Sequence, residues 1–176
     1  MNKIDTNDDE FKLLKEIFQD KLDDIDLKIY RLLRCNGRLT DTELAEKLGV
    51  SITTARRRRR ELQEKGYLQI MGLLYFGPIK IAYADVVVKL NISTSMEEIK
   101  SFIKECLESP YIYEVTEYMG NFILLRFYER DLEKLNEKIH EFLQNKEAVS
   151  DYSIMVATVT PKAWNKVLVT NGEKSC

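Results

Sequence analysis

Residues 51–60 read SITTARRRRR and follow directly on ELAEKLGV at residues 43–50. Five consecutive arginines stand out in a chain of 176 residues whose formal net charge is only -2. A guanidinium group fits a phosphate well as a paired hydrogen-bond donor, so this density of arginine favours a helix that meets nucleic acid. The pattern predicts the turn and recognition helix of a DNA-binding helix-turn-helix.

The sequence before and after the arginines supports that prediction. Thr40 and Glu43 are spaced as a capping box for a helix over about residues 41–48, and Gly49 can supply the positive φ of a tight turn. Ser51 is a good N-cap for the next helix, which we expect to end at Gly66. An earlier helix is expected from the acids at residues 24–26 to Asn36-Gly37, with aliphatic residues recurring at helical spacing.

Only the segment that contains this module has a positive net charge. Residues 1–23 contain four Lys/Arg and seven Asp/Glu, residues 24–66 contain eleven and seven, and residues 67–176 contain twelve and fifteen. The net charges are therefore -3, +4 and -3. A protein that coated nucleic acid over its whole surface would spread its cations, so we expect one module to meet DNA while the remainder serves another task.

Composition limits the class of protein. The chain is 44% hydrophobic and 32% charged, which allows one sizeable core or two small ones and disfavours a disordered or fibrous protein. Its apolar runs are short of the roughly 20 residues that span a bilayer, and the first ten residues lack a signal-peptide layout. Cys35, Cys106 and Cys176 are odd in number and widely spaced, which disfavours a disulfide framework and a structural metal site. We expect a soluble, cytoplasmic protein with no cofactor and no membrane partner.

Helical phase separates the five arginines. At 100° per residue the inward stripe holds Ile52, Ala55, Arg59 and Leu62. The opposite face holds Thr53, Arg56, Arg57 and Arg60, and the flank, where a phosphate is the natural partner, holds Thr54, Arg58 and Glu61. We expect Arg59 to snorkel outward or to pair with an acid such as Asp24 or Asp26. The alternative for the run is a solvated helical face with internal charge pairs.

These positions define a candidate DNA-binding set. Arg57 and Arg60 are the candidates for guanine contacts or nearby phosphates, and Ser51 with the helix N-terminus is a candidate phosphate site. The full set is Ser51, Thr53, Thr54, Arg56, Arg57, Arg58 and Arg60.

The remainder of the chain predicts a second domain. Residues 67–76 read as a strand-like connector, punctuated by Gly77-Pro78. Strands are expected at residues 83–91, 111–118, 122–128 and 149–160, and amphipathic helices at residues 95–108 and 131–146. This βαββαβ order is the ferredoxin-like split motif, with both helices on one face of an antiparallel sheet. The other face is apolar and rich in tyrosine, which favours pairing of subunits.

Several short motifs together resemble the Lrp/AsnC (feast/famine) family of transcription regulators. They are LDDIDLKI at residues 22–29, NGR at 36–38, ELA at 43–45, SITTA at 51–55, Arg57-Arg58, and LQEKG at 62–66. The resemblance implies an α+β protein with an N-terminal winged helix-turn-helix, a hinge strand and a C-terminal ferredoxin-like domain. Family members dimerise through that domain, often form octamers or other higher oligomers, and commonly bind amino acids or related metabolites between subunits.

The resemblance implies a division of the chain. Residues 1–21 form an N-terminal extension outside the family match, and its apolar stripe of Phe11, Leu14, Ile17 and Phe18 predicts an extra helix packed on the DNA module or on a partner subunit. Residues 22–66 form the helix-turn-helix domain. Residues 67–81 form the hinge strand or linker, residues 82–162 the ferredoxin-like regulatory and oligomerisation domain, and residues 163–176 a C-terminal tail.

The sequence departs from the family at three places. Arg59 replaces an aliphatic residue, and Ala82 stands where a glycine is usual. The family's effector loop often has an aspartate three residues after its glycine, whereas here Ile123 follows Gly120 at that distance. Gly120 and Asn121 are therefore the candidate effector-binding residues, with a plain hairpin turn as the alternative.

The resemblance predicts a sequence-specific transcriptional regulator rather than an enzyme. It would bind a roughly palindromic site on double-stranded DNA as a homodimer or higher homo-oligomer, associate with the nucleoid, and respond to an amino acid or another small-molecule effector. One alternative is an enzyme of haem biosynthesis like the siroheme decarboxylases, which are built like these regulators. His140, the sole histidine, is expected to be exposed and without a catalytic role. The other alternative is an architectural protein that compacts DNA.

Overall fold

The computed structural model describes residues 9–163 and, as backbone, the short strand Lys166–Val167. The helices are α1 (Asp9–Phe18), α2 (Asp24–Cys35), α3 (Asp41–Leu48), α4 (Ile52–Glu64), α5 (Phe76–Ile79), α6 (Met96–Glu108) and α7 (Leu132–Leu143). The strands are β1 (Ala82–Leu90), β2 (Ile112–Tyr118), β3 (Phe122–Glu129), β4 (Val149–Val156), β5 (Lys162–Ala163) and β6 (Lys166–Val167). These residues fall into two compact units, and the chain passes from the first to the second after Leu73. No helix in the described part of the chain is long and apolar enough to cross a membrane.

Helices α2, α3 and α4 form the helix-turn-helix unit around one apolar core. The core side chains are Ile29, Leu33, Leu39, Leu44, Ala45, Ala55 and Leu62. Thr40 and Glu43 cap α3 reciprocally, Gly49 ends α3 at φ 70°, and Ser51 caps α4, as the sequence predicts. The cap of α2 is Asp23, whose carboxylate accepts the backbone N–H groups of Ile25 and Asp26. Local capping therefore sets both the ends of these helices and the turn between α3 and α4.

Helix α1 belongs to the N-terminal extension and packs on α2. Phe11 and Leu14 are buried against Leu27, and the Arg34 guanidinium donates two hydrogen bonds to the Glu10 carboxylate, at 2.7 and 3.1 Å. The predicted apolar stripe is only half used, because Ile17 is 60% exposed and lies one turn beyond the contact with α2. The first eight residues lie outside the described range.

The connector between the units differs from the expected strand. No strand lies between α4 and α5, and α5 is a single turn of helix. A strand requires a hydrogen-bonded partner, and no described segment pairs with residues 67–75. Leu68 packs on the core of the first unit and Ile70 lies against Gly37, whereas Met71 and Leu74 are 66% and 78% exposed.

The second unit has the predicted βαββαβ order. Its antiparallel sheet runs β2-β3-β1-β4, with β1 paired to β3 and to β4. One sheet face packs on both α6 and α7, and the strand residues at its centre are Val86, Val88, Ile123, Leu125 and Phe127. The last long strand stops at Val156, earlier than expected, and the short pair β5 and β6 was not predicted. Most of the C-terminal tail lies outside the described residues.

Cys35 and Cys106 differ in state. Cys35, at the end of α2, is disulfide-bonded, which the wide spacing of the cysteines did not predict. Cys106 is free and buried on α6, and burial raises the pKa of its thiol to about 12. The Cys106 thiol is therefore protonated and packs as an apolar side chain.

Replacing the buried anchor of α1 should destabilise the first unit. Phe11 is 1% exposed, and truncation of a buried phenylalanine costs about 3 kcal/mol or more. We expect Phe11→Ala to lower the free energy of unfolding by about 3 kcal/mol in urea titrations followed by circular dichroism. The matched control is Leu13→Ala on the same helix, where the side chain is 54% exposed and the loss should stay near 0.5 kcal/mol. Equal losses would show that α1 is not anchored on α2.

Candidate nucleic-acid interface

The outer face of α4 presents three arginines. The side chains of Arg56, Arg57 and Arg60 are 69%, 58% and 76% exposed, and Thr53 is exposed beside them. This is the face to which helical phase assigns them. Guanidinium groups exposed on one face of a helix can donate hydrogen bonds to phosphates or to base edges.

The inner side of α4 is only partly as expected. Ala55 and Leu62 are buried, but Ile52 is 45% exposed, so its placement on the packed stripe is wrong. Ile52 is the first residue of α4 and lies one turn before Ala55, outside the core that α4 forms with α2 and α3.

Arg59 is drawn inward by oxygen atoms at the start of α3. Its Nη1 donates to the backbone carbonyl of Leu39 at 3.0 Å and to the Asp41 carboxylate at 3.3 Å. The sequence predicted that Arg59 snorkels outward or pairs with an acid such as Asp24 or Asp26, and an acid pair is what forms. The partner is Asp41, because Arg59 lies on the side of α4 that faces α3.

Arg58 is the residue that reaches the start of α2. Its guanidinium contacts the carboxylate of Asp23 and, at 3.4 Å, that of Asp26. Asp26 is 7% exposed, and burial, followed by the charge of Asp23, raises its pKa. Without Arg58, two adjacent carboxylates would lie at this helix junction without a cation, so Arg58 joins α4 to the capping box of α2. These partners differ from the phosphate that the flank position of Arg58 suggested.

The exposed arginines also have carboxylate partners. Arg56 Nε donates to Asp41 at 3.0 Å, Arg57 Nη1 to Glu61 at 2.6 Å, and Arg60 Nε to Glu64 at 2.6 Å. The Glu64 hydrogen bond raises the pKa of Arg60. Spacing of four residues along α4 could have revealed the last two pairs, whereas the partner of Arg56 depends on how α3 and α4 pack.

Carboxylates neutralise the charge of the whole arginine run. Each of the five guanidinium groups has a carboxylate within 3.4 Å, and five different carboxylates take part. They are Asp23, Asp26, Asp41, Glu61 and Glu64. The local sum of charge on α4 and its partners is therefore zero, although the printed sequence reads as a block of positive charge.

The N-terminus of α4 provides backbone donors. The Ser51 hydroxyl accepts the Thr54 backbone N–H at 3.1 Å and lies 2.8 Å from the Thr54 hydroxyl. These two hydroxyls therefore serve the cap of α4. The positive end of the helix dipole remains at this exposed turn, where an anion would be favoured.

The candidate effector loop has the geometry of a hairpin turn. Gly120 has φ 92°, and the Asn121 side-chain amide donates to the backbone carbonyl of Leu90 at 2.8 Å. Ile123 is 1% exposed and belongs to the core. A cavity of about 300 Å³ lies at the far end of β3, and its lining residues are Ile81, Pro110, Tyr111, Tyr128, Glu129 and Arg130. Gly120 and Asn121 do not line this cavity.

The described residues lack the clustered side chains that bind a metal ion. They contain no group of three or more His, Cys, Asp or Glu side chains arranged to hold a metal. His140 is exposed, as expected, and its Nδ1 lies 2.7 Å from the Tyr152 hydroxyl.

Comparisons with known proteins agree with this architecture. The domain family described as winged helix-turn-helix DNA-binding matches residues 22–69. An uncharacterized HTH-type transcriptional regulator of Pyrococcus horikoshii is 31% identical over 143 residues, which are 81% of this chain and 90% of that protein. An AsnC family transcriptional regulator from Agrobacterium tumefaciens is 26% identical with a TM-score of 0.69, covering 81% of this chain and 94% of that one. A transcriptional regulator of Neisseria meningitidis, solved in complex with L-Met, has a TM-score of 0.71 at 23% identity over 86% of this chain and 98% of its own.

Neighbouring arginines of α4 should differ in their effect on stability. We expect Arg58→Ala to lower the free energy of unfolding by about 1 to 3 kcal/mol, because it leaves Asp23 and the buried Asp26 without their cation. The control is Arg57→Ala, which removes only an exposed pair and should change stability by about 0.5 kcal/mol or less. Urea unfolding of the two variants measures this difference. A smaller loss for Arg58→Ala than for Arg57→Ala would contradict the joining role of Arg58.

Proposed function

The chain belongs to the Lrp/AsnC family of transcriptional regulators, and on that premise we propose that the outer face of α4 binds the major groove of duplex DNA. The protein is a transcriptional regulator with a helix-turn-helix DNA-binding domain. The observation that carries the proposal is the exposure of Arg56, Arg57 and Arg60 together on one face of a capped helix.

The proposed contact set follows from the placement of each side chain. Arg57 and Arg60 contact guanine edges or adjacent phosphates, with Arg56 and Thr53 beside them. The backbone N–H groups after Ser51 receive a phosphate at the positive end of α4. Arg58 stays outside the contact set, because its guanidinium is engaged with the start of α2. Thr54 contributes through the cap it shares with Ser51.

Two copies bind one operator in this proposal. The sheet face that α6 and α7 leave uncovered carries exposed apolar side chains, which supports subunit pairing. On this face Tyr118, Phe122 and Met155 are each 40% exposed or more. Leu74 of the connector is 78% exposed. A homodimer presents two copies of α4 related by a two-fold axis, so its half-sites lie about 34 Å apart, one turn of DNA, and the operator is roughly palindromic. Higher homo-oligomers can form from such dimers.

A small-molecule effector is the second part of the proposal. The Neisseria meningitidis protein, which has the same fold, was solved with L-Met, and this supports an amino acid or a related metabolite as the ligand class here. Gly120 and Asn121 remain the candidate loop, although the Asn121 amide is already bonded to Leu90 and Ile123 offers no charge for an ammonium group.

A regulatory rather than enzymatic role is favoured. The relatives are named as transcriptional regulators, which supports this role. Cytoplasmic localisation at the nucleoid follows from binding to chromosomal DNA.

The DNA-binding proposal is tested on Arg57. We expect Arg57→Ala to weaken binding by about tenfold or more, on the order of 1 to 3 kcal/mol, for a duplex selected from the organism's own genomic fragments. Fluorescence anisotropy at two salt concentrations measures the affinity, and a titration with the duplex held well above its Kd gives the number of protomers per duplex from its break point. The control is Arg130→Ala, an arginine with 69% exposure in the second unit.

Arg130→Ala should bind as the wild type does, and two protomers should saturate one site. Unchanged affinity of Arg57→Ala would remove α4 from the interface. Affinity of the wild type that did not fall as salt rises would contradict an interface formed with phosphates.

A further inference from the structure

Glu61 and Glu64 lie where acids would be least expected on a DNA-binding helix. Both follow the arginine run on α4, four residues after Arg57 and Arg60, and their side chains are 36% and 59% exposed. Glu64 has the same helical phase as Arg57 and Arg60, so its carboxylate belongs to the outer face. A carboxylate at that place repels the phosphates of an approaching duplex.

Stability does not account for these two acids. Exposed ion pairs at a spacing of four residues on a helix contribute little to stability, because solvent screens them and ordering two long side chains costs entropy. The inner arginines of α4 are held by Asp23, Asp26 and Asp41, and α4 is capped by Ser51 at its start. Glu61 and Glu64 are therefore dispensable for the position of α4.

The geometry of the Arg60 pair leaves particular donors free. Glu64 accepts from Nε of Arg60, which is the donor nearest the side-chain stem. A guanidinium has five N–H donors, so the four on Nη1 and Nη2 remain available. The outer edge of the group can then form the bidentate contact to O6 and N7 of a guanine while the pair with Glu64 stays intact.

The paired carboxylates oppose the binding of a phosphate more than the binding of a base edge. A phosphate carries a full negative charge, and a paired carboxylate within hydrogen-bond distance of the same guanidinium cancels most of the attraction. A guanine edge is neutral and is recognised by its hydrogen-bond acceptors, so the carboxylate opposes it far less. The Arg57–Glu61 pair also weakens phosphate binding more than base binding, because Glu61 accepts a hydrogen bond from Arg57 Nη1.

We propose that Glu61 and Glu64 are specificity-determining residues that hold Arg57 and Arg60 in place and lower their affinity for phosphates relative to base edges. The inference rests on the proposed function of α4. Its consequence is weaker binding to random duplex DNA, with little loss at the operator. These acids increase the ratio of operator affinity to random-duplex affinity, rather than the operator affinity itself.

The test uses the full chain with Glu61→Gln and Glu64→Gln combined. Glutamine keeps a side-chain oxygen that accepts from arginine and removes only the negative charge. We expect affinity for a random-sequence duplex to rise about threefold to tenfold near 0.1 M salt, and its salt dependence to steepen by up to about 0.9 for each charge removed. Affinity for the selected operator should rise less than threefold, so that the specificity ratio falls.

The matched control is Glu108→Gln combined with Glu141→Gln. These acids form the Lys104–Glu108 and Lys138–Glu141 pairs on α6 and α7, and the double substitution removes the same net charge from the second unit. This control should leave both affinities within about twofold of the wild type. Thermal melts of all variants establish that each is folded before binding is measured.

Three results would overturn the inference. They are unchanged or weaker binding of Glu61→Gln/Glu64→Gln to the random duplex, an equal rise for both duplexes, and an equal rise in the control variant. Failure of the proposed function looks different, because the wild type itself would then bind neither duplex.

Discussion

The pairing of Arg58 and Arg59 with acids at the starts of α2 and α3 is the interaction on which the first unit depends. A helix with five consecutive arginines packs against a core only if the inward guanidinium groups meet negative charge. Arg58 meets Asp23 and Asp26, while Arg59 meets Asp41 and the Leu39 carbonyl. These contacts fix the rotation of α4 about its own axis. That rotation decides which other arginines face outward.

Carboxylates also neutralise the arginines on the outward face of α4. Arg56, Arg57 and Arg60 are exposed, yet each is paired with a carboxylate, so the free surface carries little net charge. A surface of this kind attracts phosphates weakly and keeps hydrogen-bond donors for a matching target. A regulator that must find a few sites among many benefits from weak background binding, because the relevant quantity is the ratio of specific to non-specific affinity.

Local signals in the sequence predicted much of this structure. The capping pair Thr40 and Glu43, the turn at Gly49 and the cap at Ser51 lie where expected, because capping depends on neighbours in the chain. Partners that depend on packing between helices were less predictable, and so Asp41 and Arg58 received their roles only from the structure. The connector was predicted as a hinge strand or linker, and within the described chain it is not paired as a strand, because apolar β-rich composition cannot say whether a hydrogen-bonded partner is present. The disulfide at Cys35 likewise has no signal in cysteine spacing.

The most direct test of the account is a nuclear magnetic resonance titration that follows the arginine Nε–Hε signals of the full chain as duplex DNA is added. The signals of Arg56, Arg57 and Arg60 should shift on binding, and those of Arg58 and Arg59 should keep the positions they have in the free protein. Large shifts of Arg58 and Arg59, or no shifts of Arg57 and Arg60, would contradict the division of the arginine run into a structural pair and a DNA-binding face.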